Sequence, residues 1–463
     1  MAISDKDWTN ERVLVVGAGI SGIAAARVLK KLGADVTLSD AKKETDVHFD
    51  TTELRALGVN LIFGEQKEEL LDGVTLVIVS PAVPVRVPLI QAAYARKIPV
   101  LSEIELAYDF AKSPILAITG TNGKTTTTTL LGELMKKAPQ YKAVGVGGNI
   151  GVPLIDEVLR VGEGGVTVAE ISSYQLEATN DFRPHIAAIL NVTPDHVVRH
   201  GSLEVYRQTK EKIFAQQTQD DFIVLNYDNE PTRKMADRAP SHVFFFSRAK
   251  KLDEGAFVDD DKNLVIRYGG ETHVIMPQSD LIIKGGHNVE NALAASAMAY
   301  LAGVGIEAIA EMLRSFKGVE HRIEPVRMVD GVMYYNDSKA TNTDSAIKAL
   351  ESFPDNKIVL IAGGDDKMTD LTSFMRLVKK RCAKLILIGD ASARFKEAAL
   401  KNEFPAQNIR EAGYSMEKAV SIARSLAKEH QIVLLSPACA SFDMFSCFEE
   451  RGKVFKDIVN GMK

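Results

Sequence analysis

Three times along the chain, a short run of aliphatic and β-branched residues is followed by glycine or serine and then by a helical pattern. These restarts occupy residues 13–16, 115–119 and 358–362, and similar runs lie at 76–80, 166–170, 186–191, 385–389 and 432–436. Such runs are typical of buried parallel strands, and strands that alternate with amphipathic helices indicate doubly wound α/β folds. The sequence therefore predicts an α/β protein in which one architectural theme is used three times.

The domain boundaries are predicted where a helical stretch gives way to the next strand. We place them near residues 107–113 and 316–320, which gives domains of residues 1–107, 108–317 and 318–463. Three domains also agree with a prior of roughly 150 residues per domain. Inside the middle domain, the alternating pattern at 263–268 and the Gly269-Gly270 turn predict a small antiparallel excursion within residues 249–276.

The composition excludes several classes of protein. With 46% hydrophobic residues, 25% charged residues and a net charge of −5, the chain is of the globular type and has no sustained basic surface for nucleic acid. No apolar run approaches the roughly 20 residues that span a bilayer, and the first residues lack the apolar core of a secretion signal. Cys382, Cys439 and Cys447 lack a metal-ligand spacing and suit a reducing compartment. We expect a cytoplasmic monomer that binds neither nucleic acid nor membranes.

A glycine-rich turn follows the second restart. It reads Ile118-Thr119-Gly120-Thr121-Asn122-Gly123-Lys124-Thr125 and opens a helical pattern. Backbone N–H groups and the positive end of the helix would point at phosphates, Lys124 would reach the terminal phosphates, and the Thr125 hydroxyl would bind Mg²⁺. The strict P-loop pattern has glycine where Ile118 stands. The alternative is a structural turn that binds no ligand. The Lys-Thr pair at the end of the turn, after a continuous apolar strand, argues against this alternative. The turn therefore predicts a central ATP-binding domain of the P-loop type.

The first restart carries a second glycine-rich turn. Gly17-Ala18-Gly19-Ile20-Ser21-Gly22 follows the strand, and Asp40 ends the next one, which together form a full dinucleotide fingerprint. Taken alone, this fingerprint favours a Rossmann-like domain of a nicotinamide-dependent oxidoreductase. The phosphate-type turn at Lys124 argues against that reading, whereas bound or required NAD would support it.

Motifs in order over nearly the whole chain make it resemble the Mur ligase family of peptidoglycan synthesis. In the first two thirds they are the turn at 120–125, Gly148-Asn149-Ile150-Gly151, Glu170-Ile171-Ser172-Ser173, Asn191-Val192-Thr193-Pro194-Asp195-His196, residues 206–214 and His287-Asn288-Val289-Glu290-Asn291. In the last third they are Glu320-His321-Arg322-Ile323-Glu324, Asn336-Asp337-Ser338-Lys339-Ala340-Thr341-Asn342 and Ser436-Pro437-Ala438-Cys439-Ala440-Ser441-Phe442-Asp443. This last group is similar to the members that add D-glutamate.

The resemblance implies a reaction and its cofactors. A D-glutamate-adding member joins D-glutamate to UDP-N-acetylmuramoyl-L-alanine with ATP, through an acyl phosphate that the amine displaces. Such a path needs no protein nucleophile, and the sequence has none of the Ser, His and Asp signatures of hydrolases. The family also implies a Rossmann-like domain for the UDP sugar, a central ATPase domain, a Rossmann-like C-terminal domain for the amino acid, and two Mg²⁺ ions, with Mn²⁺ as a substitute.

Glu170 and His196 resemble the metal ligands of the family. Glu170 ends a predicted strand, at the edge of the sheet where ligands bind, although a lone glutamate there is more often a helix cap or a surface charge. His196 follows another strand end and would hold the second metal ion, but it could also be a structural hydrogen bonder. The family has aspartate where Val198 stands, so a hydrogen bond behind the metal ligand would be missing.

Lys210 is predicted to point inward, because it shares a helical face with Tyr206 and Ile213, whereas Lys212 is not. A buried lysine tends to lose its proton, and a neutral amine can take up CO₂. The family's lysine at this position is carbamylated and supports the metal site, while the alternative is a lysine stem lying on the surface. The predicted catalytic residues are Lys124, Glu170, His196 and Lys210, and the predicted metal site comprises Thr125, Glu170, His196 and Lys210.

The resemblance also assigns three binding sets, residue by residue. For ATP they are Gly120, Thr121, Asn122, Gly123, Lys124, Thr125, Thr126, Asn288, Asn291, Arg322 and Asp337, with His321 nearby. For the UDP sugar they are Gly19, Ile20, Ser21, Asp40, Ser80, Pro81, Asn149 and Ser172. For D-glutamate they are Lys339, Thr341, Lys367, Ser441, Phe442 and Phe448, in which cations and hydroxyls would face two carboxylates. The family's glycine after Ser-Pro is Ala82 here, so we expect a different approach of the backbone to the ligand in that loop.

Besides the oxidoreductase, two further alternative functions are compatible with the sequence. One is a nucleotide-regulated switch that hydrolyses ATP without making a bond, which ATP turnover independent of sugar and amino acid would favour. The other lies within the family: a member that adds L-alanine, a diamino acid or a dipeptide, or a folylpolyglutamate synthase. The motif at residues 336–339 argues against those relatives.

Overall fold

The computed structural model describes residues 7–46, 50–194, 197–366 and 368–462. Two predicted site residues, His196 and Lys367, lie outside the described residues. Within them the chain forms three β-sheets that alternate with helices, of five, nine and six strands. The prediction of an α/β protein with one theme used three times is confirmed.

The first sheet is entirely parallel, in the order β3-β2-β1-β4-β5. Its elements are β1 (Arg12–Val16), α1 (Ile20–Lys31), β2 (Asp35–Asp40), α2 (Thr52–Ala56), β3 (Asn60–Phe63), β4 (Leu76–Val79), α3 (Pro88–Ala95), β5 (Val100–Ser102) and the following α4 (Glu103–Phe110). The strand order reverses between β1 and β4, so the segments after these two strands meet at the carboxyl edge, where ligands of such sheets bind.

The second sheet has the order β14-β13-β12-β11-β10-β9-β6-β8-β7. Its elements are β6 (Ile115–Thr119), α5 (Lys124–Met135), β7 (Val144–Gly148), α6 (Leu154–Val161), β8 (Val166–Glu170), α7 (Ser173–Leu176), β9 (Ile186–Ile189), α8 (Val197–His200), α9 (Leu203–Glu211), β10 (Phe222–Asn226), α10 (Glu230–Arg233), β11 (His242–Ser247), β12 (Gly255–Val258), β13 (Asn263–Tyr268), β14 (Glu271–Pro277), α11 (Gly286–Leu301) and α12 (Ile306–Ser315). β13 and β14 are antiparallel and joined at Gly269 and Gly270, both with positive φ, so the predicted excursion is confirmed.

The third sheet has the order β15-β16-β20-β17-β18-β19, parallel except for β15 at one edge. Its elements are β15 (Glu324–Val329), β16 (Val332–Asn336), α13 (Thr343–Glu351), β17 (Ile358–Gly363), α14 (Thr372–Arg381), β18 (Cys382–Ile388), α15 (Ser392–Lys401), β19 (Ile409–Gly413), α16 (Met416–Leu426), β20 (Ile432–Leu435) and α17 (Phe448–Asn460). Strands β17 and β20 are buried along nearly their whole length, as their continuous apolar runs predict.

By compactness the chain divides into two units. One comprises Met1–Leu281 and Glu290–Arg314, and contains the first two sheets; the other comprises Ile282–Val289 and Ser315–Lys463, and contains the third. The predicted boundary after residue 107 falls inside α4, and the boundary after 317 falls between α12 and β15. Both boundaries remain predictions. Among the described residues, no helix combines the length and the apolar character that a membrane crossing requires.

Two sequence-based element predictions are wrong in detail. The strand predicted at 186–191 ends at Ile189, because Asn191 turns away to bond with the glycine turn after β6. The helical stretch predicted at 291–313 is two helices, α11 and α12, separated at Gly303, whose φ is 90°. Strands β6 and β8 span the predicted residues.

Candidate active site

The glycine turn between β6 and α5 requires glycine at its last position. Gly123 is the N-cap of α5 and has a left-handed φ of 86°. A Cβ atom on Gly123 would overlap Oδ1 of Asn291, so a larger residue is excluded by space as well as by backbone conformation. The same contact shows that Asn291, predicted from the resemblance to bind ATP, lies directly beside the turn.

Lys124 folds its side chain back over this turn. Its ammonium donates hydrogen bonds to the carbonyl oxygens of Gly120 (2.9 Å) and Thr121 (3.0 Å). The next two residues of α5, Thr125 and Thr126, are buried, and the Thr126 hydroxyl has no hydrogen-bond partner in the described part of the chain. The first turn of α5 contains no acidic side chain to oppose an anion. The turn therefore combines backbone N–H groups, an ammonium and hydroxyls, which is the set of groups that holds phosphates.

The segment after β9 braces the turn. The backbone N–H of Asn122 donates to Oδ1 of Asn191 (2.8 Å), and Nδ2 of Asn191 donates back to the Asn122 carbonyl (3.1 Å). Thr121 extends this contact, with its hydroxyl donating to the carbonyl of Thr193 (3.3 Å) and lying 3.2 Å from the Tyr206 hydroxyl. We did not predict Asn191 as a site residue, although a polar side chain directly after a buried strand was the available signal.

Glu170 ends β8 with its carboxylate inside the protein. Only 2% of the residue is exposed, and Oε1 accepts a hydrogen bond from Nδ2 of Asn149 (2.8 Å). Oε2 is buried and has no hydrogen-bond partner among the residues that the structure describes. A buried carboxylate oxygen without a partner is costly unless a cation compensates it, so the donor set fits a divalent ion such as Mg²⁺. The helix-cap alternative is wrong for Glu170, because Ser172 caps α7 in a capping box with Gln175.

Lys210 on α9 is 1% exposed, so the alternative of a surface lysine is wrong. Its ammonium donates to the Gly120 carbonyl (2.9 Å) and the Thr119 hydroxyl (3.3 Å), and it lies 4.6 Å above the centre of the Tyr206 ring. Lys210 thus contacts the glycine turn at the point where the turn leaves β6. The prediction that Lys212 does not point inward is also wrong. Lys212 is half-buried and donates to the Glu177 carbonyl (2.8 Å), because the segment after α7 packs against this side of α9.

Burial lowers the pKa of Lys212, although two nearby carboxylates, those of Glu105 and Glu177, act in the opposite direction. The Lys212 ammonium therefore makes a structural hydrogen bond at a position where desolvation disfavours its charged form.

The glycine turn between β1 and α1 is shaped by two close approaches. A Cβ on Gly22 would overlap the carbonyl oxygen of Gly17, and one on Gly17, whose φ is 105°, would lie 2.7 Å from Cβ of Ser80. Gly19, the N-cap of α1, meets only the Ser80 hydroxyl, at 3.4 Å. The predicted UDP-sugar residues after β1 and β4 therefore lie against each other, as their positions at the switch point imply.

Asp40 stabilises this turn through the backbone. Its carboxylate accepts from the N–H of Ala18 (2.8 Å) and from the N–H of Lys42 (2.9 Å). Ile20 is exposed at the start of α1, and Ser21 and Pro81 are partly exposed. Ala82 is not among the described residues with positive φ, so alanine is compatible with the backbone of its loop.

In the third sheet, the segment after β16 holds a buried acid. Asp337 accepts hydrogen bonds from the Ile323 N–H (3.2 Å) and the Ser436 hydroxyl (2.7 Å). Desolvation raises the pKa of Asp337 to about 7, against the opposing effects of Ser436 and the Arg322 guanidinium. Nε of Arg322 is buried and has no hydrogen-bond partner within the described residues. His321, Ile323 and Ala438 all have positive φ, which is unfavourable for these residue types.

Apart from Lys367, which lies outside the described residues, the predicted D-glutamate residues lie on the segments that follow β16 and β20 and at the start of α17. The Lys339 ammonium is 5.5 Å from the centre of the Phe448 ring, and the Phe448 carbonyl accepts from the Ser338 hydroxyl (2.8 Å). Thr341 is partly exposed and Ser441 is buried, whereas Phe442 is 72% exposed. The structure therefore brings Lys339 and Phe448 together and leaves Phe442 facing outward.

Arg451 was missed by the sequence analysis. It is fully buried on α17 and donates to the Ser338 hydroxyl and carbonyl and to the carbonyls of Cys439 and Ala440. Desolvation lowers its pKa to about 10. An arginine in an amphipathic helix would be read as exposed, so no local pattern could have revealed this role. Asn288, also predicted for ATP, is buried and donates to the Lys284 carbonyl (2.7 Å).

Comparison with known families covers all three sheets. Residues 11–102 match the Mur ligase MurD-like N-terminal domain, residues 118–299 the Mur ligase middle domain, and residues 321–439 the Mur ligase glutamate ligase domain. A UDP-N-acetylmuramoylalanine–D-glutamate ligase of Pelotomaculum thermopropionicum is 48% identical over 99% of each chain. Another enzyme of this name, from Thermoanaerobacter pseudethanolicus, is 46% identical over 97% of this chain and 98% of its own.

Solved structures show the same three-domain fold at low sequence identity. The UDP-N-acetylmuramate–alanine ligase MurC of Thermotoga maritima superposes with a TM-score of 0.59 at 22% identity, covering 98% of this chain and 100% of its own. A pseudomurein peptide ligase type C of Methanothermus fervidus gives a TM-score of 0.58 at 20% identity over 98% and 100%. Because two relatives at 46% and 48% identity align with it over nearly their entire length, this chain belongs to the Mur ligase family.

Proposed function

We propose that this enzyme joins D-glutamate to the free carboxylate of UDP-N-acetylmuramoyl-L-alanine with ATP. The observation that carries the proposal is the turn at 120–125, with the Lys124 ammonium over it and the unpartnered Oε2 of Glu170 among the buried groups of the same sheet. Such a site is suited to bringing two anions together. The names of relatives at 46% and 48% identity support the choice of substrates.

The reaction divides into two displacements. An oxygen of the substrate carboxylate attacks the γ-phosphorus of ATP, the bond to the β,γ-bridging oxygen breaks, and ADP leaves. The amine of D-glutamate then attacks the acyl carbon, loses a proton, and expels inorganic phosphate. Lys124 and the N–H groups at the start of α5 would stabilise charge on the phosphates, and the hydrogen bonds of Asn191 to Thr121 and Asn122 fix the part of the turn before them.

The metal and binding residues follow the same proposal. Thr125, Glu170, His196 and Lys210, the last as its carbamate, would hold two Mg²⁺ ions, or Mn²⁺, and the ions would supply positive charge that offsets repulsion between the phosphates and the attacking carboxylate. The residues of the first turn, with Asp40, Ser80, Pro81, Asn149 and Ser172, would bind the UDP sugar. Lys339, Thr341, Lys367, Ser441, Phe442 and Phe448 would bind D-glutamate, and Asn288, Asn291, Arg322 and Asp337 the nucleotide.

The decisive experiment measures phosphate release from ATP with UDP-N-acetylmuramoyl-L-alanine and one candidate amino acid at a time. We expect release with D-glutamate, and a product heavier by one glutamyl residue in the mass spectrum. L-glutamate and diaminopimelate should give little release. Phosphate release without the UDP substrate and the amino acid would favour the switch, a requirement for NAD would favour the oxidoreductase, and preference for another amino acid would favour a different branch of the family.

Carbamylation of Lys210 is a separate part of the proposal. The burial of its amine beside the glycine turn supports it, since a neutral buried amine reacts with CO₂. Lys210→Ala should lose activity and regain part of it when short carboxylic acids are added. The matched control is Lys212→Ala, whose loss should not respond to such acids. Equal behaviour of both variants would contradict the carbamate.

The place of action and the assembly state complete the proposal. An enzyme that consumes ATP and a UDP-linked precursor is expected in the cytoplasm, and we propose that it acts there as a monomer. Light scattering on the purified protein should give a mass near 50.5 kDa, and a stable mass of twice that value would exclude the monomer.

A further inference from the structure

Arg199 lies outside the predicted site and contacts segments of both the first and the second sheet. It lies on the short helix α8, after β9, and its side chain is only 9% exposed. Its Nε and one terminal nitrogen donate to the two carboxylate oxygens of Glu177, at 2.9 and 2.7 Å. Its guanidinium also lies 4.5 Å from the centre of the Tyr174 ring. A buried guanidinium held by a bidentate carboxylate has one orientation, so its remaining N–H groups point in a fixed direction.

Those remaining N–H groups reach the first sheet. They donate to three successive carbonyls in the segment that follows β4, those of Pro81 (3.1 Å), Ala82 (3.2 Å) and Val83 (3.0 Å). The same segment begins with Ser80, which packs against the glycine turn after β1. Arg199 therefore holds by its backbone the loop that the proposed function assigns to the UDP sugar.

The carboxylate partner of Arg199, Glu177, and its sequence neighbour, His200, both belong to the domain of the second sheet. Glu177 follows α7, the helix that begins directly after the Glu170-Ile171-Ser172 segment. His200 follows Arg199 in the sequence, and its Nε2 atom is 3.0 Å from the Ser173 hydroxyl. The His200 ring packs against the ring of Tyr206. The Tyr206 hydroxyl in turn is 3.2 Å from the Thr121 hydroxyl. Packed polar and aromatic groups thus connect Arg199 to the metal and ATP side of the site.

We propose that Arg199 is a positioning residue that sets the distance between the UDP-sugar loop at 80–83 and the phosphate-binding turn. This inference rests on the proposed function, because it concerns alignment of the substrate carboxylate with the γ-phosphorus. In a phosphoryl transfer with little covalent help from the protein, the rate depends on that alignment. Arg199 touches neither reacting group, so its effect passes through the backbone that it holds.

The substitution Arg199→Lys tests this. Lysine keeps the charge, but one ammonium cannot pair with both oxygens of Glu177 and reach three carbonyls at the same time. We expect kcat to fall by about ten-fold to a hundred-fold, as for a misplacement near 1 Å. The KM values for ATP and for the UDP substrate should stay within about three-fold, since neither binding surface loses a side chain.

Arg183→Lys is the matched control. Arg183 forms an arginine–carboxylate pair with Asp221 (2.7 Å) in the same domain and also donates to the Thr218 hydroxyl, and neither partner belongs to the loop at 80–83. The control should lose a comparable amount of thermal stability and keep its kcat. If both variants lose kcat in proportion to their melting temperatures, Arg199 is only structural and the proposal is wrong.

Hydrogen exchange gives a readout that does not depend on activity. In Arg199→Lys, the backbone amides of residues 80–87 should exchange at least several-fold faster than in the wild type and in Arg183→Lys. Unchanged exchange in this segment would overturn the proposal even if the wild-type enzyme proved to use other substrates. Failure of the proposed function would instead appear as a wild-type enzyme that releases no phosphate with D-glutamate.

Discussion

The glycine turns after β1 and β6 occupy the same place between a strand and a helix and differ in their electrostatic surroundings. Each joins a buried parallel strand to a helix through a glycine with positive φ, 105° at Gly17 and 86° at Gly123. The turn after β6 is braced by the neutral amide of Asn191 and continues into Lys124. The turn after β1 is braced by the carboxylate of Asp40, and the first turn of α1 has no basic side chain.

This difference indicates how much negative charge each turn can accept. A carboxylate close to the first turn partly cancels the positive end of α1, whereas the ammonium of Lys124 adds to the positive end of α5. The turn after β6 therefore suits the more highly charged triphosphate, and the turn after β1 suits a diphosphate ester. We therefore expect the two turns to bind different ligands, because the side chains around them differ.

The largest expected effect comes from removing the cation of the second turn. Lys124→Ala should lower kcat by on the order of 10³-fold, since charge on the transferred phosphoryl group loses its main side-chain partner. Binding of the UDP substrate, measured by calorimetry, should change less than about two-fold. A parallel loss of UDP-substrate affinity would show that the two turns do not act separately.

A metal requirement should belong to the second turn alone. Glu170→Gln preserves the acceptor for Asn149 and replaces the unpartnered Oε2 by an amide nitrogen, so it removes the proposed ligand with little change of shape. We expect kcat to fall on the order of 10²-fold and the Mg²⁺ concentration for half-maximal activity to rise. In Glu157→Gln, the control, the side chain keeps neighbours in Val146 and Arg160, and the Mg²⁺ dependence should match the wild type. If both variants respond alike to Mg²⁺, Glu170 is not a metal ligand.

A smaller effect is expected at the first turn. Gly19 has φ of −84°, and a Cβ there meets only the Ser80 hydroxyl at 3.4 Å, so Gly19→Ala should fold normally. The added methyl group would keep a diphosphate from the N-terminus of α1 and raise KM for the UDP substrate by about ten-fold, while KM for ATP stays constant. Gly305→Ala, an open position whose nearest neighbour is Glu307 at 3.7 Å, should change neither value. A rise in KM for ATP would contradict the division between the turns.

The smallest effect concerns α4, which follows the first sheet and packs on α6 of the second. Glu103 is fully buried and accepts from the Ile155 N–H (2.7 Å), and desolvation raises its pKa to about 7. The folded state therefore keeps a proton that the unfolded state loses above about pH 4.5, so the free energy of unfolding should fall as pH rises from about 4.5 to 7.

Glu103→Gln should remove this slope, because glutamine stays neutral. Urea unfolding at pH 5, 6, 7 and 8 should show the wild type losing on the order of 1 to 3 kcal/mol relative to the variant across the series. Parallel curves for the two proteins would mean that Glu103 does not carry a raised pKa. The activity of Glu103→Gln at pH 8 should equal that of the wild type, since neither glycine turn includes Glu103.

Much of the fold and part of the site could be predicted because their signals are local. Strands β6 and β8, the hairpin at Gly269 and Gly270, and both phosphate-type turns follow from residue type and spacing over a few positions. Lys210 was also predicted to be buried, since a helical face defines it. Lys212 was not, because its burial depends on a contact with the Glu177 carbonyl, 35 positions away in the chain, which no local pattern marks.

The amino-acid sequence by itself determined the order of strands and helices, the two glycine turns and the identity of the groups they present, since each depends on neighbours in the chain. Only the tertiary structure decided which of those groups meet. Three sets of hydrogen bonds join residues that are 21 to 118 positions apart in the chain. They link Asn149 to Glu170, Asn191 to the glycine turn after β6, and Arg199 to the loop at 81–83. Such contacts depend on how sheets and helices pack, and packing is a property of the whole chain.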